Sequence, residues 1–431
     1  MKILMLSQFY PPVIGGEERH VATLAQALTA RGHTVSVATI GSPDSFGTRT
    51  EDGIRVHRLR TTAQRLPMIY SDGGRPHASP TPDPELVAGL GGVVRAEKPD
   101  VIHAHNWIVN SLLPLRPWTK ARMVLTLHDY SHVCAVKRLM REGVPCSGPG
   151  LAKCVSCAAE HYGPVAGTVT ALSTAPTARL KERALDAVIA VSSAVARGNG
   201  LARPKTRVPV QVIPNFIPDA LWEKSGGPLV GEPLDDRLPA EPFLLFVGDL
   251  SRDKGVHVLL EAYARLDRRP PLVMMGRRCK DTPETLPDGV RILAGCPHPV
   301  VMDAFRRCLA AVAPSVWPEP FGLVVLEAMT AGSPLVAAST GGIMDIVADR
   351  ESGLMVRPGD AAQLHDALAL LLDDPELRAR LGREARSRAR SFTTSRVVPD
   401  IEALYASLLS QGAADTSTDA AVVVREAERA L

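Results

Sequence analysis

Two carboxylates stand eight positions apart in the stretch Pro314-Ser315-Val316-Trp317-Pro318-Glu319-Pro320-Phe321-Gly322-Leu323-Val324-Val325-Leu326-Glu327-Ala328-Met329. Glu319 falls in a Pro-rich turn and Glu327 one turn inside an apolar helix, a placement that points both at the mouth of a sheet. There one can meet a sugar and the other can accept hydrogen bonds from ribose hydroxyls, and an acid in so apolar a helix needs partners. Ser339-Thr340-Gly341-Gly342-Ile343 is a Gly-rich strand-to-helix turn suited to backbone amides that meet a phosphate. In Gly248-Asp249-Leu250-Ser251-Arg252-Asp253-Lys254-Gly255, Arg252 and Lys254 offer cationic donors to phosphate oxygens beside the positive end of the next helix. Pro11-Pro12-Val13-Ile14-Gly15-Gly16-Glu17 lies between a first strand and a helix, where Gly15 and Gly16 let the backbone approach an anion closely.

Four of the seven cysteines crowd together as Cys134, Cys146, Cys154 and Cys157, spaced C-x11-C-x7-C-x2-C and flanked by His132 and His161. Gly143, Pro145, Gly148, Pro149 and Gly150 make the intervening chain loop-like. The CxxC pair has metal-ligand spacing, and four thiolates complete a tetrahedral site with no open position. A structural Zn²⁺ is the first expectation and an iron–sulfur cluster the alternative; Cys279, Cys296 and Cys308 read as small apolar residues.

These motifs hang on short apolar runs that alternate with helical patterns, the mark of parallel βα units. Strands are expected at Lys2–Ser7, Thr34–Thr39, Ile54–Arg58, Val101–His105, Met123–Thr126, Ala187–Val191 and Val210–Ile213. A second series runs from Phe243–Val247 through Leu272–Met275, Val290–Leu293, Ala311–Ala313 and Leu335–Ala338. The fold class is therefore α/β, with two open sheets, a linker, and a ligand cleft at the carboxyl ends of the strands. The expected division is a first domain over 1–216 with a Cys-rich insertion at about 130–162, a linker over 217–242, a second domain over 243–394, a closing helix over 395–410 and a flexible tail over 411–431. A Pro-rich loop is expected over Thr61–Pro84.

Composition narrows the function. The chain of 431 residues is 45% hydrophobic and 22% charged, as in an ordinary globular protein. Aromatics make up only 4%, which argues against a base-stacking nucleic-acid surface. No run of 18 apolar residues occurs, so no segment is expected to span a membrane. The apolar start meets Tyr10-Pro11-Pro12 with no small-residue cleavage site, so a buried strand and a cytoplasmic protein are expected. Residues 1–215 hold 25 basic and 15 acidic side chains, a net +10, and the remainder holds 24 and 31, a net −7. A basic first half suits an anionic partner or surface.

The set Gly15-Gly16-Glu17, His128, Gly248 to Lys254-Gly255, Glu319-Pro-Phe-Gly-x4-Glu327-Ala-Met and Gly341-Gly342 resembles the retaining glycosyltransferases of family 4, in order and over nearly the whole chain. The resemblance implies the GT-B fold: two Rossmann-like domains facing across a cleft, donor bound mainly by the second and acceptor mainly by the first, and a last helix that crosses back to the first. It implies a donor-binding set of Gly15, Gly16, Arg252, Lys254, Glu319, Phe321, Gly322, Glu327, Gly341 and Gly342. Within that set Glu327 would bond the donor ribose, Glu319 the sugar hydroxyls and Lys254 the diphosphate. His128, at the end of the Met123–Leu127 strand, would lie beside the transferred sugar, so His128, Glu319 and Lys254 are the candidate catalytic residues. Two departures stand out. Asp249 replaces an arginine usual in the family, and Gly276-Arg277-Arg278 replaces Gly-x-Gly.

No Asp-x-Asp pair sits where it would hold a divalent ion, so leaving-group charge is expected to fall on Lys254, Arg252, amides and helix dipoles without a metal cofactor for the chemistry. The expected reaction is sugar transfer with retention from a UDP-, GDP- or ADP-sugar to a carbohydrate, lipid-linked or metabolite hydroxyl. Peripheral contact with the inner membrane face is a companion expectation, and no nucleic-acid partner is expected. The alternatives are a nucleotide-sugar epimerase or phosphorylase and a non-catalytic nucleotide-sugar-binding partner on the same fold.

Overall fold

A computed structural model of the chain describes residues 1–13, 15–65, 78–203, 206–226 and 234–414. Parts of the expected Pro-rich loop and linker, and the expected tail from residue 415 on, lie outside these. The chain divides into two units. The first comprises Met1–Leu139, Ser147–Pro214 and the chain from Val397, and the second Met140–Cys146 and Asn215–Arg396.

The strands of the first unit are β1 (Lys2–Ser7), β2 (Thr34–Ile40), β3 (Gly47–Glu51), β4 (Ile54–Leu59), β5 (Val101–His105) and β6 (Arg122–Leu127). A small hairpin of β7 (Met140–Arg141) and β8 (Val144–Pro145) belongs to the second unit, and β9 (Ala187–Ala190) and β10 (Val210–Val212) complete the first. The sheet order is β10-β9-β6-β5-β1-β2-β4-β3. All its pairs are parallel except β3 with β4. Parallel strands covered on both faces need continuous apolar runs, and Ile3, Leu4, Met5 and Leu6 of β1 are all fully buried. Each such side chain contributes about 1.5–3 kcal/mol over its exposed state. Strand β3 escapes a hydrophobicity reading because it is an exposed polar edge.

Helices α1 (Gly16–Ala30), α2 (Pro84–Glu97), α3 (Val109–Leu112), α4 (Leu151–Tyr162), α5 (Pro164–Ala184) and α6 (Ser193–Gly198) also belong to this unit. Cys154 and Cys157 thus stand on helix α4 and not in a loop, the irregular chain ending at the cap Gly150.

In the second unit, α7 (Asp219–Lys224) precedes the strands β11 (Leu244–Val247), β12 (Leu272–Met275), β13 (Val290–Leu293), β14 (Ala310–Ala313), β15 (Leu335–Ala338) and β16 (Leu354–Val356). They form one parallel sheet in the order β13-β12-β11-β14-β15-β16. Its helices are α8 (Val256–Ala264), α9 (His298–Arg307), α10 (Leu323–Thr330), α11 (Ile343–Ile346), α12 (Ala361–Asp373) and α13 (Pro375–Ala389).

The last helix, α14 (Thr394–Ala414), returns to the first unit from Val397 on. Tyr405, fully buried, bonds His103 through its hydroxyl at 2.6 Å. Glu402 meets Arg31 Nε at 2.6 Å and His33 Nε2 at 2.7 Å.

Candidate active site

In the second unit the motif residues converge at the carboxyl ends of β11, β14 and β15. Gly255, at φ +76°, ends the Lys254 loop where a Cβ would collide with the carbonyl of Pro314. Val316 N–H donates to Asp253 O at 2.9 Å, fixing this loop to the Pro-rich turn. Lys254 Nζ pairs with Glu319 Oε1 and lies 5.2 Å from the centre of the Trp317 ring. Gly341, at φ +57°, leaves no room for a Cβ against the backbone of Glu319, and Gly342 N–H donates to Glu319 O at 2.6 Å. Lys254, Glu319 and the Gly341-Gly342 turn are therefore one assembly.

Gly322 takes φ +98° to start α10, as a left-handed cap requires. Phe321 beside it is buried and meets Phe392 edge-on at 6.1 Å. Glu327, one turn further, is buried, and His298 Nε2 sits 2.9 Å from its Oε1. The partner that this acid needed is thus a residue the sequence pattern did not mark. Arg252 is exposed, and its backbone N–H donates to Asp281 at 2.6 Å. Asp249 is bonded by Arg277 through Nη2 at 3.0 Å and Nε at 3.3 Å. The unusual acid and the unusual arginine therefore answer each other.

The first unit holds a second cluster. Pairing of His105 with Thr126 levels the ends of β5 and β6, which brings His128 beside His105. His105 Nδ1 and His128 Nε2 are 2.9 Å apart, and the His20 ring stands edge-on to His128 at 4.8 Å. Burial pushes the His128 imidazole down to about 3. His105 is also held well below its ordinary value, first by burial and then by the neighbouring histidines. Among the described residues, His20, His105 and His128 bring one ring nitrogen each within 4.8 Å of one another. The 2.9 Å approach of His105 Nδ1 to His128 Nε2 is that of a hydrogen bond.

Gly15 and Gly16 open α1, whose first turn carries Glu17 and Glu18, and the Glu18 carboxyl fills the space that a Cβ at Gly15 would need. Asn106, at φ +55°, donates to Glu17 Oε2 at 2.6 Å and accepts from the His128 N–H at 3.2 Å. Glu17 is raised to about 8, by burial first, then by the charges of Asp129 and Glu18. Asn106, His105, His20 and His298 were all missed by sequence reasoning, which marked Glu17 only as part of the Gly15-Gly16-Glu17 motif and gave it no role. The only local signal was His103-Ala104-His105, whose alternate positions put both imidazoles on one face of a strand.

Cys134, Cys154 and Cys157 pack about the small apolar cluster of Ala135, Val136, Ala158 and Ala171, while Cys146 ends the hairpin segment grouped with the second unit. No disulfide joins the cysteines among the described residues. The four cysteines do not gather ligand atoms as the histidine trio does.

Residues 14–221 match the model of "Glycosyltransferase Family 4" and residues 236–388 that of "Glycosyl transferases group 1". A glycogen synthase of Mycobacterium tuberculosis is 32% identical over 429 residues, 91% of each chain. The chain belongs to the group 1, family 4 glycosyltransferases. A D-inositol 3-phosphate glycosyltransferase of Corynebacterium aurimucosum is 27% identical, covering 95% of this chain and 97% of its own. The fold of this glycosyltransferase is that of a sucrose-phosphate synthase from Thermosynechococcus elongatus, at TM-score 0.69 and 21% identity, covering 95% of this chain and 99% of the other. The catalytic domain of starch synthase IV from Arabidopsis thaliana, bound to ADP and acarbose, matches at TM-score 0.65 and 18% identity over 95% of this chain and 99% of that one. The GT-B architecture and the transferase activity that the family resemblance implied both hold.

Proposed function

We propose that this glycosyltransferase takes its sugar from a nucleoside-diphosphate donor bound at Lys254, Glu319, Gly341-Gly342 and Glu327, with retention at the anomeric carbon. The observation that carries this reading is the shared anchoring of Lys254, Glu319 and the Gly341-Gly342 turn. It supports a cation and amides for the diphosphate beside a carboxylate for sugar hydroxyls. Buried Glu327, facing His298, supports a ribose contact. Lys254 is the cation for the departing diphosphate, helped by Arg252 and the amides of Gly15 and Gly16, while Phe321 and Gly322 shape the turn that sets Glu319. His128 lies beside the sugar in this reading. The acceptor hydroxyl enters on the face from which the phosphate leaves.

Structural neighbours solved with UDP, UDP-glucose and ADP support a donor panel led by uridine and adenosine diphosphates. The relatives' names, glycogen synthase and D-inositol 3-phosphate glycosyltransferase, support a glucan or a polyol phosphate as acceptor classes. The basic first half favours the anionic or lipid-linked kind. A cytoplasmic enzyme touching an anionic membrane face is the matching setting. No described helix is long and apolar enough to cross a membrane, and exposed Val165, Val169, Leu172 and Leu180 line one side of α5, which supports surface contact. A structural Zn²⁺ or iron–sulfur cluster on Cys134, Cys146, Cys154 and Cys157 is a further proposal, supported by their spacing.

Calorimetry with UDP, GDP and ADP tests the donor site. Glu327→Ala is expected to weaken the preferred nucleotide by about 1–3 kcal/mol, the worth of a charge-assisted bond. Unchanged affinity in that variant would remove Glu327 from the site.

A further inference from the structure

Neutral imidazoles that share a hydrogen bond must divide the roles of donor and acceptor, and the pair His105–His128 has only two ways to do so. His128 Nε2–H can donate to His105 Nδ1, or His105 Nδ1–H can donate to His128 Nε2. In the first arrangement the proton of neutral His105 must sit on its other nitrogen, Nε2. That atom is fully buried and has no hydrogen-bond partner among the described residues. In the second, His105 Nε2 is an unprotonated lone pair. A buried N–H without an acceptor is rarer in folded proteins than an under-satisfied acceptor. The rest of the wall leaves His105 little freedom. His103, whose ring centre lies 4.4 Å from that of His105 with the two planes tilted, has both nitrogens engaged, Nδ1 with the Tyr405 hydroxyl and Nε2 with the Thr126 hydroxyl, each at 2.6 Å.

We propose that His105 is the positioning residue that fixes His128 as the Nδ1–H tautomer, so that His128 offers a proton, and not a lone pair, from Nδ1. The burial that keeps both rings neutral makes the assignment persistent across the physiological range. Its consequence for the reaction rests on the reading of His128 as the group beside the transferred sugar. There His128 donates a hydrogen bond to an oxygen of the donor, from a hydroxyl or from the leaving phosphate. A sugar lacking an acceptor oxygen at that point loses the contact. No proton changes molecules in this step: the imidazole holds and directs it.

The test uses the full chain labelled with ¹⁵N in histidine. Long-range ¹H–¹⁵N correlation distinguishes the two neutral tautomers, and the His128 signals are assigned by their loss in His128→Gln. Wild type is expected to show His128 protonated at Nδ1. His105→Asn, whose side-chain amide reaches to about the position of Nδ1, should preserve that pattern, whereas His105→Phe should move His128 to the Nε2–H form. A wild-type Nε2–H pattern, or one indifferent to His105→Phe, overturns the proposal. With a working donor, kcat is expected to fall about tenfold in His105→Phe, the value of one hydrogen bond, with donor KM little changed and His105→Asn restoring most of the loss. A tautomer that switches while kcat stays constant would overturn the placement of His128 beside the sugar and leave the His105 assignment standing. His105→Asn keeps the test valid should the aromatic replacement disturb the sheet.

Discussion

At the scale of single residues, the candidate site was legible where a side chain contradicts its surroundings. Glu327 in an apolar helix and Lys254 in a glycine-bounded loop announce themselves, and the structure gives one a histidine partner and the other Glu319. Asn106 and His105 were not legible, nor was the role of Glu17 beyond its place in a motif, because each acquires its role from a neighbour brought up by strand register: Asn106 joins Glu17 to His128 across 89 and 22 positions of sequence. Glu17 yields a prediction of its own. Its ordinary value of 4.5 rises to about 8 on folding, through burial and the charges of Asp129 and Glu18. The folded state then binds a proton that the unfolded state has released, so this residue's contribution to stability falls as pH rises from about 4.5 to about 8. Lys181, lowered by burial to about 8, tilts stability the opposite way at higher pH, so the comparison must be with a variant. Glu17→Gln keeps an acceptor for Asn106 and removes the titration. Its melting temperature should gain on wild type steadily from pH 5 to pH 8, and parallel curves would show that Glu17 is not held protonated.

Elements explain which parts of the fold the chain displays openly. Buried parallel strands such as β1 and β15 read directly from sequence because both faces need apolar residues. Strand β3 is polar and exposed, and α5 presents Val165, Val169, Leu172 and Leu180 to solvent, so neither follows the usual inside-outside pattern. Helix α4 matters most for the cysteines, since Cys154 and Cys157 three positions apart on one helix share a face. With Cys134 packed in the same apolar cluster, a bound ion would tie α4 to the chain that follows β6. Protein purified without air or chelator should carry about one zinc per chain, or about two or four irons if the site holds a cluster, and Cys154→Ser should lower that content. The same substitution is expected to impair acceptor use more than nucleotide affinity. Elemental analysis that finds neither zinc nor iron in an amount near one occupied site per chain would end the proposal, and the cysteines would then be ordinary packing residues.

At the scale of the whole molecule, the uneven charge of the two halves bears on acceptors, and the family chemistry bears on the product. With +10 on residues 1–215, turnover on an anionic or lipid-linked acceptor should fall as salt rises, since screening shortens the reach of exposed charge to about 8 Å at physiological ionic strength. Salt-independent kinetics with a neutral soluble acceptor would contradict that preference. The two-sheet architecture was readable from alternating strands and helices, whereas the crossing of the last helix back to the first unit was expected from the family resemblance alone. The return of α14 to the first unit is fixed by Tyr405, Glu402 and their partners hundreds of positions away, and composition carries no trace of such pairings. Stereochemistry is the most exacting claim at this scale. The chain has no Asp-x-Asp pair set to hold a divalent ion, and it places Lys254 at Glu319 beside the Gly341-Gly342 amides. A departing diphosphate can therefore be met by fixed cations and amides, the arrangement that makes electrostatic stabilisation strong in a preorganised site. Retention then requires the acceptor oxygen to enter where the phosphate leaves, so the product must keep the anomeric configuration of the donor. Turnover should survive EDTA, measured on protein whose cysteine-bound metal content is monitored in parallel. NMR of the product decides the mechanism, through the anomeric proton coupling, and an inverted product would refute a same-face transfer whatever the donor proves to be.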